Sequence, residues 1–111
     1  MMLTEPDLNV TAMRAAASEA TAVLGILANE NRLMLLCQLS QGEKCVTELE
    51  DALDLHQPTL SQQLGVLRAA GLVDTRRDGK RIYYSVANPK VLTLLHTLYE
   101  LYCPRKEACQ P

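Results

Sequence analysis

Residues 57–71, QPTLSQQLGVLRAAG, constrain the fold of this chain more than any other stretch. Three leucines recur there at the spacing of one helix face: Leu60, Leu64 and Leu67. Pro58 favours a helix that starts at that residue, because proline suits the first helical turn. The opposite face carries amide and hydroxyl groups where a solvated helix usually carries Lys and Glu. The stretch therefore predicts a helix that packs on one side and presents uncharged hydrogen-bonding groups on the other.

Three further helices are expected before this one. Residues 11–28 are rich in alanine and strong helix formers, and their small residues suit close packing. Residues 30–40 predict a mostly buried helix that Gly42 ends, since glycine is common just beyond a helix. Residues 46–54 predict a short third helix whose inward face is formed by Val46, Leu49 and Leu53.

A hairpin and a last helix are expected after it. Residues 72–87, LVDTRRDGKRIYYSVA, alternate around the turn-forming pair Asp78–Gly79, which predicts a two-stranded hairpin with a basic tip. Residues 88–103 predict a helix with Asn88 as its cap. Apolar residues cover most of its circumference, and a helix of that kind is buried on both sides. One side can face the domain, and the other needs a partner.

This order of elements predicts a mainly α-helical fold with a small β-hairpin, a winged helix-turn-helix. We expect one domain over residues 11–103, with flexible tails at 1–10 and 104–111. A chain of 111 residues buries only a modest core, which favours a homodimer through the terminal helices. The N-terminus lacks a basic signal-peptide region and no run of 18 apolar residues occurs, so we expect a cytoplasmic protein that spans no membrane.

The formal net charge of −2 hides a strong asymmetry along the chain. Residues 1–57 hold three basic and nine acidic residues, whereas residues 58–90 hold six basic and two acidic ones. Local basicity is the electrostatic footprint of a nucleic-acid-binding protein. The second segment therefore predicts contact with DNA, although the chain as a whole is slightly acidic.

The outward groups of the 57–71 helix suit the edges of DNA bases in the major groove. Glutamine can form two hydrogen bonds with adenine, and serine or threonine can donate or accept. The basic side chains that follow would neutralise phosphates. We expect DNA contacts from Gln57, Thr59, Ser61, Gln62, Gln63, Arg68, Arg76, Arg77, Lys80 and Arg81. The alternative is a winged helix whose polar face is merely solvated and which binds only protein.

ANENRLMLLCQLSQGE, followed by VTELEDALDLHQPTLSQQLGVLRAAGLVDTRRDGKRIYYSV, resembles the ArsR/SmtB family of bacterial repressors. The resemblance covers residues 14–103, and its helix and wing motifs match in order and spacing. It implies a dimeric protein that binds an inverted-repeat operator in double-stranded DNA. It also implies that an inducer releases the protein from this operator.

Two cysteines resemble the sensor of the sulfide-responsive branch of this family, the BigR, SqrR and HlyU type: Cys37 within LLCQL and Cys103 within LYCPR. The resemblance implies that reactive sulfur species join these thiols through a polysulfide bridge and weaken operator binding. For HlyU-type members the implied alternative is an oxidant such as peroxide, or a direct disulfide. Cys45 and Cys109 have no matching partner, so Cys45 is interpreted as incidental and Cys109 as a tail thiol.

Metal sensing is the main alternative within the family. EKCVTEL at residues 43–49 resembles a thiolate site, but Thr47 stands where the second cysteine belongs. One thiolate cannot make a soft tetrahedral site. On the last helix only His96 and Glu100 lie one turn apart, and we expect His96 to be a packed residue. We therefore expect no metal and no cofactor.

A thiol redox enzyme is a further alternative, but no base is paired with a cysteine at motif spacing, so we expect no enzyme.

Overall fold

The structure is a computed structural model that describes residues 9–103. Within that range the chain forms five helices and three strands, in the order α1 Val10–Leu27, α2 Glu30–Leu39, β1 Lys44–Cys45, α3 Val46–Leu53, α4 Gln57–Ala69, β2 Val73–Asp78, β3 Arg81–Val86 and α5 Pro89–Tyr102. The expected winged helix-turn-helix is confirmed. The expected tails at 1–10 and 104–111 lie almost wholly outside the described residues.

Asparagine side chains cap three of the helices. Asn9 and Asn29 accept hydrogen bonds from backbone N–H groups in the first turns of α1 and α2. Asn88 does the same for α5, as the sequence predicted. Each cap satisfies a backbone donor that the helix itself leaves without a partner. These local signals explain why the observed helix starts lie within about a residue of those expected.

The sheet differs from the expected two-stranded hairpin, because it has three antiparallel strands in the order β1-β3-β2. Lys44 pairs with Tyr84 and Cys45 with Tyr83, so β1 lies along the free edge of β3. A two-residue strand is too short to show alternation, which is why no sequence pattern marks it. The hairpin turn is at the expected place, with Gly79 at a φ of 66°.

The turn between α3 and α4 depends on a left-handed residue. Asp54 ends α3 with a φ of 56° and ψ of 39°, a conformation that aspartate tolerates better than most side chains. Helix α4 then begins at Gln57, one residue before the expected start, and Pro58 lies in its first turn. The short connection sets α4 directly after α3, which is the arrangement of a helix-turn-helix.

The core is a layer of leucines that α2, α4 and α5 share. On α4, Leu60, Leu64 and Leu67 are at most 1% exposed. They pack in one cluster with α2 and α5 residues that are equally buried: Leu35, Leu36, Leu39, Val91 and Leu95. Because one face of α4 is buried so completely, its polar face has to point to solvent.

Helices α1 and α5 leave apolar side chains exposed. Only Leu27 of α1 is buried, and Leu24 is 51% exposed. On α5, Tyr99, Leu101 and Tyr102 are 48%, 69% and 79% exposed, so this helix is buried on one side only. We expected no membrane span, yet α1 has the length and hydropathy of one. These two measures alone are weak evidence, because core helices of soluble proteins and signal sequences meet them as well.

Replacing Leu64 by Ala should destabilise the fold by about 2–5 kcal/mol, because it removes buried methyl groups and leaves a cavity in the leucine layer. Chemical denaturation at fixed protein concentration measures the change. Gln62→Ala is the matched control on the exposed face of the same helix, and it should change stability by less than about 0.5 kcal/mol. Equal losses in the two variants would contradict the assignment of the faces.

Candidate nucleic-acid interface and thiol pair

The polar face of α4 is accessible over its first two turns. Gln57, Thr59, Ser61 and Gln62 are exposed, and Gln63 is half-buried, so the five side chains expected on this face do lie there. They project from a helix whose other side is locked into the core. This arrangement gives the face a fixed orientation relative to the rest of the domain.

Hydrogen bonds divide these side chains into two groups. The Ser61 hydroxyl donates to Gln57 Oε1 at 2.7 Å, and Arg32 Nη1 donates to Gln63 Oε1 at 3.1 Å. Thr59 and Gln62 make no side-chain hydrogen bond within residues 9–103. The amide of Gln62 therefore keeps both its donors and its acceptor available for a ligand.

Basic side chains extend this surface along the wing, which is the hairpin of β2 and β3. Arg68 lies exposed in the last turn of α4, and Arg77, Lys80 and Arg81 are exposed on the wing. None of these four forms an ion pair within the part of the chain that the structure describes. The charges of Arg68, Arg77 and Lys80 are thus available to an anionic partner. Arg81 already interacts within the domain, because a hydrogen bond with Tyr83, and then nearby charge, raises its pKa.

Arg76 differs from the other wing cations because it already has a carboxylate partner. Its Nε and Nη2 atoms donate to Glu43 Oε1 and Oε2 at 2.9 and 2.7 Å, and its guanidinium lies 4.9 Å from the centre of the Tyr83 ring. The hydrogen bond from Arg76, and then its charge, hold the pKa of Glu43 below its ordinary value. Sequence reasoning missed Glu43, since nothing local marks a partner 33 residues away.

The two expected sensor cysteines lie on different helices. Cys37 is a half-buried free thiol on α2, and desolvation by burial raises its pKa above the ordinary value. Cys103 follows the end of α5, and its N–H donates to Tyr99 O at 3.0 Å. Cys103 is disulfide-bonded, whereas Cys37 is free, so no direct bond joins these two sulfurs.

Cys45 is a packed residue at the start of α3. It is 3% exposed, its N–H donates to Glu48 Oε1 at 2.9 Å, and its sulfur lies 3.6 Å from Thr47 Oγ1.

The expectation that His96 is packed is wrong, because this side chain is exposed on α5. Between residues 9 and 103, no group of three His, Cys, Asp or Glu side chains comes together as metal ligands.

Comparison with known proteins identifies the group to which this architecture belongs. Residues 29–75 match the model of the family described as bacterial regulatory protein, arsR family. The biofilm growth-associated repressor of Agrobacterium fabrum is 50% identical over 101 residues, which cover 91% of this chain and 86% of that protein. The chain belongs to the ArsR family. It is a DNA-binding transcriptional repressor of this type, and its relatives are regulators rather than enzymes, as the sequence predicted.

Two solved structures of ArsR-type regulators share the fold. The repressor BigR from Xylella fastidiosa is 44% identical with a TM-score of 0.80, and the match covers 86% of this chain and 98% of that one. Reduced HlyU from Vibrio cholerae is 38% identical with a TM-score of 0.80, and the match covers 83% and 97%. The resemblance to the BigR and HlyU type is therefore confirmed.

The Glu43–Arg76 pair makes a prediction about acidification. A carboxylate whose pKa is lower in the folded state stabilises the fold at neutral pH, and this contribution disappears as the pH falls through the folded-state pKa. Carboxyl NMR titration should find the Glu43 pKa below that of an unpaired glutamate. Arg76→Leu should raise this pKa towards the ordinary value, while Arg77→Leu, the control, should leave it in place. Equal shifts in both variants would mean that general wing charge causes the effect.

Proposed function

We propose that this protein binds an inverted-repeat operator as a homodimer, and that modification of Cys37 and Cys103 by reactive sulfur or oxidant species releases it. The observation that carries the DNA-binding part is the exposed polar face of α4, backed by a fully buried leucine stripe and continued by unpaired cations. The protein acts where its operator lies, in the cytoplasm.

The base-reading surface is the exposed face of the first two turns of α4. Gln62 keeps both amide atoms free, so it can form two hydrogen bonds with adenine in the major groove. Gly65 lies on the exposed side of this helix, and an added Cβ there would meet nothing within 4 Å. A glycine inside a helix costs about 0.5–1 kcal/mol relative to alanine. Since no internal contact requires it, close approach of the backbone to DNA supplies the reason.

The phosphate-binding side chains are Arg68, Arg77, Lys80 and Arg81. They stand at the end of α4 and on the wing, where they flank the base-reading face. Arg76 enters this set only by exchanging the Glu43 carboxylate for a phosphate. Because its charge is already neutralised, its contribution to counterion release is smaller than that of Arg77.

Salt dependence separates these two arginines. For each phosphate that the protein no longer neutralises, the slope of log affinity against log salt should become shallower by about 0.9. Arg77→Ala should show this change in titrations of a 30-base-pair duplex of arbitrary sequence. Removing the neutral pair with Arg76→Ala/Glu43→Ala is the matched control and should leave the slope nearly unchanged. A slope change equal to that of Arg77→Ala would show that Arg76 also neutralises a phosphate.

The homodimer is proposed to form through α1 and α5. Lys90 Nζ donates to Glu19 Oε2 at 2.9 Å and thus joins the two helices on one surface. A shallow apolar pocket of about 290 Å³ lies between them, bordered by Val23, Leu24 and Leu94. Exposed apolar residues of this kind mark interaction surfaces. A second copy that covers them would place two α4 helices for half-sites about one DNA turn apart.

The sensor proposal rests on the places of the two cysteines and on the relatives. Cys37 belongs to the helix that packs behind α4, and Cys103 ends a helix of the proposed dimer surface. A bridge between them would tie the core to that surface. It would thereby change the distance between the α4 helices of the two subunits. The HlyU relative is described in a reduced form, which indicates that redox state is distinguished in that protein.

The chemistry balances with polysulfide as the oxidant. Each thiol loses its proton and gives up one electron. The polysulfide inserts zero-valent sulfur atoms between Cys37 and Cys103. One further zero-valent sulfur takes up the two electrons and leaves as hydrogen sulfide, and the terminal sulfide of the polysulfide leaves as a second hydrogen sulfide. With peroxide the product is a direct disulfide and water. In either case the present disulfide of Cys103 has to be reduced or exchanged first. The raised pKa of Cys37 slows attack by its thiol at neutral pH.

Cys37→Ser and Cys103→Ser should each bind operator DNA as the native protein does but fail to release it on treatment with polysulfide. Mass spectrometry of the reduced native protein after anaerobic treatment should find Cys37 and Cys103 crosslinked through whole extra sulfur atoms. Cys45→Ser is the control, because this buried thiol is not part of the pair, and it should still respond. Release of DNA from either serine variant would refute the assignment.

A further inference from the structure

Arg32 connects three helices through one guanidinium group. It lies half-buried in the first turn of α2, where its backbone N–H donates to the Asn29 cap at 3.0 Å. Its Nε donates to Ile26 O in the last turn of α1 at 2.9 Å. Its Nη1 donates to Gln63 Oε1 on α4 at 3.1 Å. The side chain that holds the end of α1 thus also touches the DNA-reading helix.

The bond to α1 fixes Arg32 independently of Gln63. The last carbonyls of a helix lack intrahelical donors and carry partial negative charge. Helix α1 has no basic residue in its own last turn, so Arg32 supplies the cation that this end needs. A guanidinium held at this carbonyl and by the start of α2 presents its remaining N–H groups in a fixed direction, because the fork is planar and rigid.

Arginine decides which way the Gln63 amide faces. A guanidinium has five N–H donors and no acceptor, so the atom that meets it has to be the amide oxygen. With its oxygen directed at Arg32, the amide turns its two N–H donors away from that residue, and one of the two lone pairs of the oxygen is already used. Two-point pairing with adenine needs the amide oxygen and a donor on the same side, so an oxygen that points at Arg32 disfavours it. Gln62, its neighbour, keeps both functions.

We propose that Arg32 is a positioning residue that fixes Gln63 as a hydrogen-bond donor towards DNA, so that Gln63 selects an acceptor and not adenine's donor–acceptor pair. The acceptor is an oxygen or ring nitrogen on a guanine or thymine edge, or a phosphate oxygen. The inference rests on the proposed DNA binding and adds to it a residue that touches no DNA. Without Arg32 the amide can rotate, and the same side chain can present either atom.

The test begins with selection from a random 30-base-pair duplex library, which defines the sequence that the native full-length protein prefers. Affinities for that duplex and repeat selections are then measured for Arg32→Met, Gln63→Ala and the double variant. Arg32→Lys retains the charge but cannot serve both acceptors in fork geometry. Glu30→Gln is the control, since it changes an exposed charge in the same turn of α2 that makes no hydrogen bond or ion pair in the described chain. Thermal midpoints show that every variant is folded.

Arg32→Met and Gln63→Ala should each weaken binding by about 5- to 150-fold, the range for one base contact. The double variant should bind no worse than the weaker single variant, because both changes remove the same contact. Arg32→Lys should weaken binding in the same direction, although its charge is kept. If the acceptor is a base, both single variants accept more bases at one position of each half-site. If it is a phosphate, affinity falls equally for all sequences.

Several results would overturn the inference. Losses of affinity that multiply in the double variant would mean that Arg32 and Gln63 act separately. Native affinity in Arg32→Lys and Arg32→Met, with only a lower thermal midpoint, would give Arg32 a structural role alone. Failure of the native protein to enrich any duplex would instead refute the proposed DNA binding itself, so the two failures are distinguishable.

Discussion

Burial of three leucines on α4 is the interaction on which the rest of the molecule depends. Leu60, Leu64 and Leu67 sit in the leucine layer with almost no exposure, and this sets the rotation of the helix about its own axis. A helix rotated by even one residue would turn its face by about 100°. The same packing that stabilises the domain therefore decides which amides and hydroxyls meet a ligand, so stability and specificity share one set of contacts.

Much of the fold could be predicted because its signals are local. Leucine spacing located α4, Asn88 marked the start of α5, and the glycine at 79 located the hairpin turn. The exposed face of α5 was harder to predict. Its apolar residues cover most of the circumference, so the sequence does not show which side of the helix packs against the rest of the domain. His96 shows the same difficulty: its apolar neighbours in sequence suggested packing, while its position on the helix turns it outward.

The parts of the site that sequence reasoning missed are contacts between distant residues. Strand β1 is too short to have a pattern, and it exists because the edge of β3 is beside it. The pairing of Arg76 with Glu43 and of Arg32 with Gln63 joins residues that are 33 and 31 positions apart. Both arginines looked equally free in the sequence, yet each has a partner that limits what it can bind. Charge counting finds a basic surface, but only the fold shows which cations are still available.

Pairing of β1 with β3 has a mechanical consequence. Helix α3 begins at the residue after β1, so the backbone bonds at Tyr83 and Tyr84 clamp the wing to the front of the helix-turn-helix. The side-chain contact between Glu43, which directly precedes β1, and Arg76 on the wing adds a second link at the same place. Because the wing is held at its base by these contacts, we expect it to move together with the whole domain rather than independently. A signal that alters the angle of the wing on a duplex would therefore have to reorient the helical body of the domain.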